Sequence, residues 1–170
     1  MGDSWTTRSF AAVALEAAAF APYGTVIEAA GASLAANQGT AARFDQDASL
    51  VNQRSEARLA ISVFRCAAQT SQPFPVRLLE KHPCSTQLFV PMNAERYLVI
   101  VALGADAPDL ATLSAFVARG AQAVAYHPGV WHHPMVALDA TIDFVCFVHE
   151  DGTTRDCVVH PLAQPRTVAY

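Results

Sequence analysis

The sequence lacks the features by which chains usually bind nucleic acids or membranes. It has 11 Lys and Arg against 15 Asp and Glu, a net charge of −4, and no basic run or zinc-finger spacing to neutralise phosphates. No apolar run reaches the roughly 18 residues of a membrane-spanning helix. We therefore expect a small-molecule substrate, with neither a nucleic-acid nor a membrane partner.

Cysteine is also scarce, and its spacing excludes the usual frameworks. The four residues Cys66, Cys84, Cys146 and Cys157 are far apart and form no Cys-x-x-Cys pair. This spacing predicts free thiols rather than a disulfide scaffold. We interpret the alanine-rich start as a short amphipathic helix and not as an export signal, because an acidic residue interrupts its apolar run. These features predict a cytoplasmic location.

The chain has no internal repeat, low-complexity tract or long linker, so we expect a single domain over 1–170. Helices are predicted at the start, ending near Phe20, and over 108–118, where apolar residues recur at helical spacing. Short β-rich runs separated by turn residues predict strands at 24–28, 58–65, 75–79, 87–90, 97–102, 121–126, 134–138 and 142–148. The segment 31–47 is expected to be a loop or a weak strand. Many short strands with few helices predict a mostly β sandwich or barrel, whose mouth can hold one small ligand.

The first of two polar segments lies within 79–91. Glu80 and His82 are two residues apart, so on an extended strand their side chains face the same side. Gln87 follows after a predicted turn. Carboxylate, imidazole and amide groups that converge in a barrel mouth suit a divalent cation or a small polar anion.

The second polar segment is 126–134. The pair Pro128-Gly129 predicts a turn just before His132 and His133. Neighbouring residues on a strand face opposite sides, so only one of these histidines faces the cavity. The sequence leaves open which one it is.

Other polar or aromatic residues have a structural interpretation beside a functional one. Arg43 with the nearby Asn37 suits the binding of a carboxylate, or it is a surface cation. Lys81 is either part of the site or the partner of Glu80 in a solvated ion pair. Trp131 is either a substrate contact or a packing residue at the barrel mouth.

Taken together, these residues make the sequence resemble the ureidoglycolate lyase family over most of the chain. The matching segments are Phe20-Ala-Pro-Tyr-Gly-Thr-Val-Ile-Glu28, Asn37-x-Gly39-x-x-x-Arg43, Glu80-Lys-His-Pro-x-x-x-Gln-x-Phe-x-Pro-Met92 and Trp131-His-His-Pro134. The resemblance implies a cupin-like barrel, a homodimer, and a carbon–nitrogen lyase. That lyase splits (S)-ureidoglycolate into glyoxylate and urea during allantoin breakdown, and nickel is the divalent metal associated with it.

The resemblance also implies roles for individual residues. The cupin metal pattern His-x-His-x4-Glu is similar to Glu80-x-His82-x4-Gln87, and it implies a metal set of Glu80, His82, Gln87 and His132. His132 would be the proton-transfer centre, or would hold a metal-bound group that acts as one. His82 and Gln87 would orient the hydroxyl, and Tyr126 would be the acid. The implied substrate contacts are Asn37, Arg43, Lys81 and Trp131.

Two departures from the family pattern keep alternatives open. The chain has Ala125 where the family commonly has Asn, and Val148-His149 where Asp-Arg is common. If the missing groups contact the substrate, a cupin-type enzyme acting on another small hydroxy or keto acid is the first alternative. A non-catalytic domain that binds a small ligand is the second.

Overall fold

The computed structural model describes residues 9–170, and nearly all of their regular structure is β. The strands are β1 (Ser9–Ala11), β2 (Val13–Ala14), β3 (Gly24–Ile27), β4 (Leu34–Ala36), β5 (Ala41–Arg43), β6 (Arg58–Cys66), β7 (Phe74–Lys81), β8 (Gln87–Pro91), β9 (Arg96–Ala102), β10 (Ser114–Arg119), β11 (Ala123–Tyr126), β12 (Trp131–His132), β13 (Val136–Ala137), β14 (Ile142–Glu150) and β15 (Val158–Ala169). A four-residue helix, α1 (Ala17–Phe20), and a helical turn at Asn37–Gly39 are also present. The predicted mostly β fold with a few short helices is confirmed.

Two large sheets form the body of the molecule. One has the order β1-β15-β7-β12-β9-β10-β2, with β13 also paired to β9, and the other has the order β3-β11-β8-β14-β6. Strands β4 and β5 pair only with each other in a separate hairpin. The two large sheets enclose a hydrophobic interior in a nearly closed barrel.

The alternation of strand β9 shows how the chain builds two cores. Tyr97, Val99 and Val101 belong to the barrel interior, while Leu98 and Ile100 belong to a second core on the outer face of the same sheet. Successive residues of a strand face opposite sides, so both faces of β9 are buried. Burial of an aliphatic side chain of this size stabilises the fold by about 1.5–3 kcal/mol.

The predicted helix at the start of the chain is wrong over most of its length. Ser9–Ala11 pairs in parallel with the end of β15, and Val13–Ala14 pairs in parallel with β10. From residue 9 to residue 21, only Ala17–Phe20 is helical. The sheet hydrogen bonds available at these two edges outweigh the helix propensity of alanine, which is a weak preference that tertiary context overrides.

The predicted helix at 108–118 is also wrong. Ser114–Arg119 is strand β10 and pairs antiparallel with β9 along its whole length. The preceding residues form a turn, in which the Asp109 carboxylate accepts a hydrogen bond from the Ala111 amide at 2.9 Å. Leu110 and Leu113 pack against the outer core from this irregular turn. Their spacing along the chain is that of a helix, although the segment is not helical.

The remaining strand predictions agree with the structure to within a few residues at each end, except that only Val136–Ala137 is a strand in the predicted 134–138. The weak segment at 31–47 contains the β4–β5 hairpin. The long strand β15 was not predicted, although it pairs with β7 and carries β1 at its other edge.

The four cysteines are free thiols. No helix within residues 9–170 combines the length and apolar character that would be needed to cross a membrane.

Candidate active site

Strands β7 and β12 bring three polar side chains together inside the barrel. His132 is the direct cross-strand partner of Glu80, and His82 follows Glu80 by two residues on the same face. One ligand atom from each of these three residues lies within 4.8 Å of the others. The two imidazole rings are stacked, with centroids 5.9 Å apart. This triad is a group that suits a metal ion.

The structure shows which of the adjacent histidines faces the cavity. His132 is almost fully buried, and its Nε2 lies 3.8 Å from Oε1 of Glu80. His133 faces the other side of the sheet. There its ring packs edge-on against Phe74 of the outer core, with ring centroids 5.3 Å apart. The site therefore contains His132 and excludes His133.

The surroundings of His132 favour a neutral imidazole with a free Nε2. Its Nδ1 lies 3.0 Å from the carbonyl oxygen of Val130, so we assign the ring proton to Nδ1. Burial, reinforced by the neighbouring His82, lowers the pKa of His132 to about 3. A group with this pKa is a poor base at neutral pH, which weakens the expected role of His132 as the proton-transfer centre. A lone pair fixed at Nε2 is the usual state of a histidine that ligates a metal.

Tyr126 supports His132 from the opposite strand layer. The two rings are stacked at 4.2 Å between centroids with an interplanar angle of 7°. The Tyr126 hydroxyl donates to Sδ of Met135 at 3.7 Å, and burial raises the pKa of that hydroxyl well above 10. A phenol so far from ionisation is a weak acid catalyst, so the geometry favours a packing role over the expected acid role.

Three buried polar atoms of the predicted metal set have no hydrogen-bond partner among the described residues. They are Nδ1 of His82, Oε1 of Gln87 and Nε2 of His132. The side-chain amide of Gln87 is oriented by Cys146. Nε2 of Gln87 donates a hydrogen bond to the Cys146 sulfur at 3.6 Å. A buried polar atom without a partner costs about 1–3 kcal/mol. All three atoms can present lone pairs, so their chemistry fits a cation.

Glu80 is the charged member of the group. Its side chain is about one fifth exposed, at 22%, and burial raises the pKa of the carboxyl above its usual value, opposed by a hydrogen bond from Cys157. Burial instead lowers the pKa of His82, opposed by the backbone and the charge of Asp156. Within the triad, Glu80 is therefore the residue whose pKa shifts toward pH 7, whereas the pKa values of the two histidines shift away from it.

Lys81 and Trp131 lie on the opposite face of the same strands. Nζ of Lys81 sits 4.5 Å from the centre of the Trp131 ring, a cation–π contact. Trp131 is fully buried in the outer core and packs edge-on against His160. The structure does not bring these two predicted substrate contacts to the triad, because each is the sequence neighbour of an inward-facing residue. Trp131 is a packing residue.

Asn37 and Arg43 lie on the β4–β5 hairpin. Asn37 occupies the turn with a φ of 51°, and the Arg43 side chain is 67% exposed and paired with Asp45 at 2.6 Å. Within residues 9–170 the hairpin forms no strand pairing with either large sheet. The predicted capture of a carboxylate by Arg43 therefore has no support from the geometry of the site.

The two departures from the family pattern lie on β11 and β14. Ala125 faces away from the stacked Tyr126 and lines a separate cavity of about 90 Å³ with Asp47 and Thr86. Val148 is part of the barrel interior. His149 lies on the opposite face of β14, and its Nδ1 is buried without a hydrogen-bond partner among the described residues. The Ala125 departure therefore changes a pocket outside the triad.

Two groups near the site were missed from the sequence. Cys146 lies two residues from each of the interior residues Phe144 and Val148 on β14. The period of a strand was therefore a signal that could have predicted its inward orientation. Cys157 precedes β15 and reaches Glu80 through the fold, and no local pattern signals that contact.

Comparison with known proteins identifies the family of this chain. The sequence profile described as ureidoglycolate lyase matches residues 7–169. The ureidoglycolate lyase of Pseudomonas fluorescens strain Pf-5 is 38% identical over 143 residues, 84% of either chain. Those of Salmonella paratyphi B and Salmonella typhimurium strain LT2 are each 44% identical over 149 residues, 87% of this chain and 91% of theirs.

A solved structure of RmlC from Streptococcus suis in complex with dTDP-D-xylose is a distant neighbour. It is 11% identical, with a TM-score of 0.41 over 58% of this chain, and this chain spans less than half of it, 46%. The match of a family profile across almost the whole chain, with relatives at 38–44% identity, shows that the chain belongs to the ureidoglycolate lyase family.

Proposed function

We propose that the protein is a single-domain ureidoglycolate lyase that releases urea and glyoxylate from (S)-ureidoglycolate. The observation that carries the proposal is the buried group of Glu80, His82 and His132 inside the barrel of a chain that belongs to this family. The relatives from Pseudomonas and Salmonella have the same name. This activity belongs to the breakdown of allantoin.

The reaction needs a proton to move from oxygen to nitrogen. In ureidoglycolate one carbon bears a hydroxyl, a carboxylate and a urea nitrogen. Removing the hydroxyl proton forms the carbonyl of glyoxylate, the carbon–nitrogen bond breaks, and the nitrogen takes up a proton to give urea. A positioned acid or base contributes typically about 10²–10⁴-fold to such a step.

We assign the transfer of this proton to Glu80. Its raised pKa makes it a better proton acceptor than an exposed carboxylate, and it returns the proton more readily than a group of very high pKa. Its Oε1 lies 3.8 Å from Nε2 of His132. The lowered pKa of both histidines makes them weaker candidates.

His82, Gln87 and His132 would hold a divalent cation, and Glu80 lies beside them. The three unpartnered atoms of these residues support this proposal, and the family resemblance names nickel. A bound cation would polarise the substrate hydroxyl and the developing carbonyl. The Nδ1 hydrogen bond of His132 to Val130 and the stacked Tyr126 hold the imidazole in one orientation.

The assay for this function is release of glyoxylate and urea from freshly prepared (S)-ureidoglycolate. Purified protein is measured as isolated, after chelator treatment, and after Ni²⁺ or Mn²⁺ is added back. We expect both products in equal amounts, loss of turnover with chelator, and recovery with metal. Absence of both products under every metal condition would remove the proposed function, and turnover unaffected by chelator would remove the cation alone.

We also propose a homodimer formed through β6. This strand lies at the edge of the five-stranded sheet among the described residues. Leu59, Ile61 and Val63 project from one of its faces and are 46%, 65% and 60% exposed. An exposed apolar edge strand suits pairing with a second copy about a two-fold axis.

Light scattering after size exclusion tests this interface. We expect a dimer for the native protein and a monomer for Ile61→Lys, because the lysine would place a charge in the buried contact. Arg77→Lys, on an exposed position of β7, is the control and should leave the mass unchanged. A native monomer, or a dimer that survives Ile61→Lys, would contradict this interface.

We further infer a reducing cytoplasmic setting, which the four free thiols support.

A further inference from the structure

A buried ion cluster lies beside the site, and the proposed mechanism does not use it. Arg54 binds two carboxylates at once: Nη1 donates to Asp151 at 2.9 Å, and Nη2 donates to Asp156. The three side chains are only 9%, 8% and 11% exposed. Exposed ion pairs contribute little to protein stability, whereas removing one member of a buried cluster leaves the others without a partner.

The carboxylates of this cluster shape the turn between β14 and β15. Asp156 accepts hydrogen bonds from the backbone amides of Asp151 at 3.0 Å and Gly152 at 2.7 Å. Asp151 accepts a further bond from the Thr153 amide at 2.9 Å. The residues 151–156 are therefore fixed by side-chain to backbone bonds, and Arg54 joins them to the segment before β6.

This turn ends at the site. Cys157 follows Asp156 directly, and its thiol donates to Oε2 of Glu80 at 3.9 Å. The other carboxylate oxygen, Oε1, faces Nε2 of His132. The thiol therefore contacts one oxygen of Glu80 while the other is directed toward the histidine.

We propose that the Arg54–Asp151–Asp156 cluster holds the turn against the barrel so that the Cys157 thiol orients the Glu80 carboxylate toward His132. Cys157 and Arg54 are positioning residues, since neither lies among the three groups of the triad. The catalytic part of the proposal rests on the proposed function, and the geometric part does not. Groups that orient the residues of a metal or catalytic site typically alter affinity or activity by about 10–100-fold.

The test begins with two substitutions at Cys157. Cys157→Ala removes the donor, and we expect kcat to fall about tenfold with KM changed less than about twofold. Cys157→Ser keeps an O–H donor, so we expect kcat to return to within about threefold of the native value. A purely structural role for this half-buried thiol would give no rescue that depends on a donor.

Arg54→Lys tests the anchor of the turn. Lysine keeps the charge but cannot bind two carboxylates through a planar fork, so we expect a similar fall in kcat. Arg65→Lys is the matched control, because Arg65 makes a two-bond pair with Asp143 while its side chain is 76% exposed. That control should retain native kcat. Thermal melting confirms that each variant is folded.

Crystal structures of the metal-free native protein, Cys157→Ala and Arg54→Lys test the geometry without substrate. We expect Oε1 of Glu80 to move away from Nε2 of His132, beyond the native 3.8 Å, in both variants. An unchanged carboxylate would overturn the proposal, as would native kcat in both variants. A native protein without lyase turnover would remove the proposed function, while the crystal structures would still decide the positioning role.

Discussion

The two faces of β7 and β12 differ in chemistry although they belong to the same strands. Glu80 on β7, His82 directly after β7 and His132 on β12 face the barrel interior. Lys81 and Trp131 lie on the other face, where Trp131 belongs to the outer core. Each outward residue is the immediate neighbour of an inward one. A shift of one residue in the register of either strand would exchange the two sets.

The polar atoms on the two faces differ in what they require. On the inner face, Nδ1 of His82 and Nε2 of His132 lack partners and can present lone pairs. On the outer face, Nε1 of Trp131 also lacks a partner, but an indole N–H is only a donor. A cation is therefore suited to the inner face alone. A substitution on the outer face is therefore a control for a substitution on the inner face.

The largest effect is expected from Glu80→Gln. This change keeps the shape of the side chain but removes the proton carrier, so we expect kcat to fall by about 10²–10⁴-fold. Lys81→Gln is the control on the outer face and should change kcat less than about twofold. Steady-state release of glyoxylate measures both variants. Equal losses in the two variants would show that the faces do not differ in function.

A second pair of changes compares His132 with Trp131. His132→Asn removes the Nε2 lone pair, so we expect Ni²⁺ affinity, measured by titration calorimetry, to fall more than about tenfold. Trp131→Phe leaves a partial cavity in the outer core, so the free energy of unfolding should fall by about 1–2 kcal/mol. Its Ni²⁺ affinity should remain native. Loss of metal affinity in Trp131→Phe alone would contradict the assignment of the site.

The stability of the metal-free protein should depend on pH through His132. Burial lowers its pKa to about 3 from an ordinary 6.5, so below pH 6.5 the unfolded chain binds a proton that the folded protein does not. Stability therefore falls on acidification between these two values, by up to about 1.4 kcal/mol per pH unit for this residue. The raised pKa of Glu80 acts in the opposite sense.

Denaturant unfolding of the native protein and of His132→Asn, both in chelator, isolates this contribution. The variant should lose that part of the pH dependence between about pH 6.5 and 4. Trp131→Phe should keep the native dependence. Parallel curves for the native protein and His132→Asn would contradict a neutral, buried His132.

The smallest effect is expected from Tyr126→Phe. The substitution keeps the ring stacked on His132 and removes only the hydroxyl that contacts Met135. We expect kcat within about threefold of native, since a phenol with a strongly raised pKa does not supply the proton. A loss of about 10²-fold or more would restore the acid role that the sequence predicted.

Sequence periodicity predicted the inner face of β7 because it depends only on local spacing. Glu80 and His82 face one side at any position of an extended strand. The choice between His132 and His133 required the register of β12 against β7, which is a property of the folded sheet. Strand β15 and the contact of Cys157 with Glu80 depend on pairing between distant segments, and local patterns carry no signal for them.

The predicted helices failed for a related reason. The alanine-rich start and the segment that includes Leu110 and Leu113 have helical spacing, but the edges of the large sheet offered them strand pairing and core contacts. Arg43 was predicted from its residue type and its neighbours, without information on where the hairpin would lie.

The assignment of the metal and substrate site is tested most directly by a crystal structure of the protein soaked with Ni²⁺ and glyoxylate, with anomalous scattering recorded at the nickel edge. We expect an anomalous peak beside Nδ1 of His82 and Nε2 of His132, with glyoxylate within hydrogen-bond distance of Glu80. A peak elsewhere, or glyoxylate bound beside Lys81 and Trp131 or at the Arg43 hairpin with the triad empty, would contradict it.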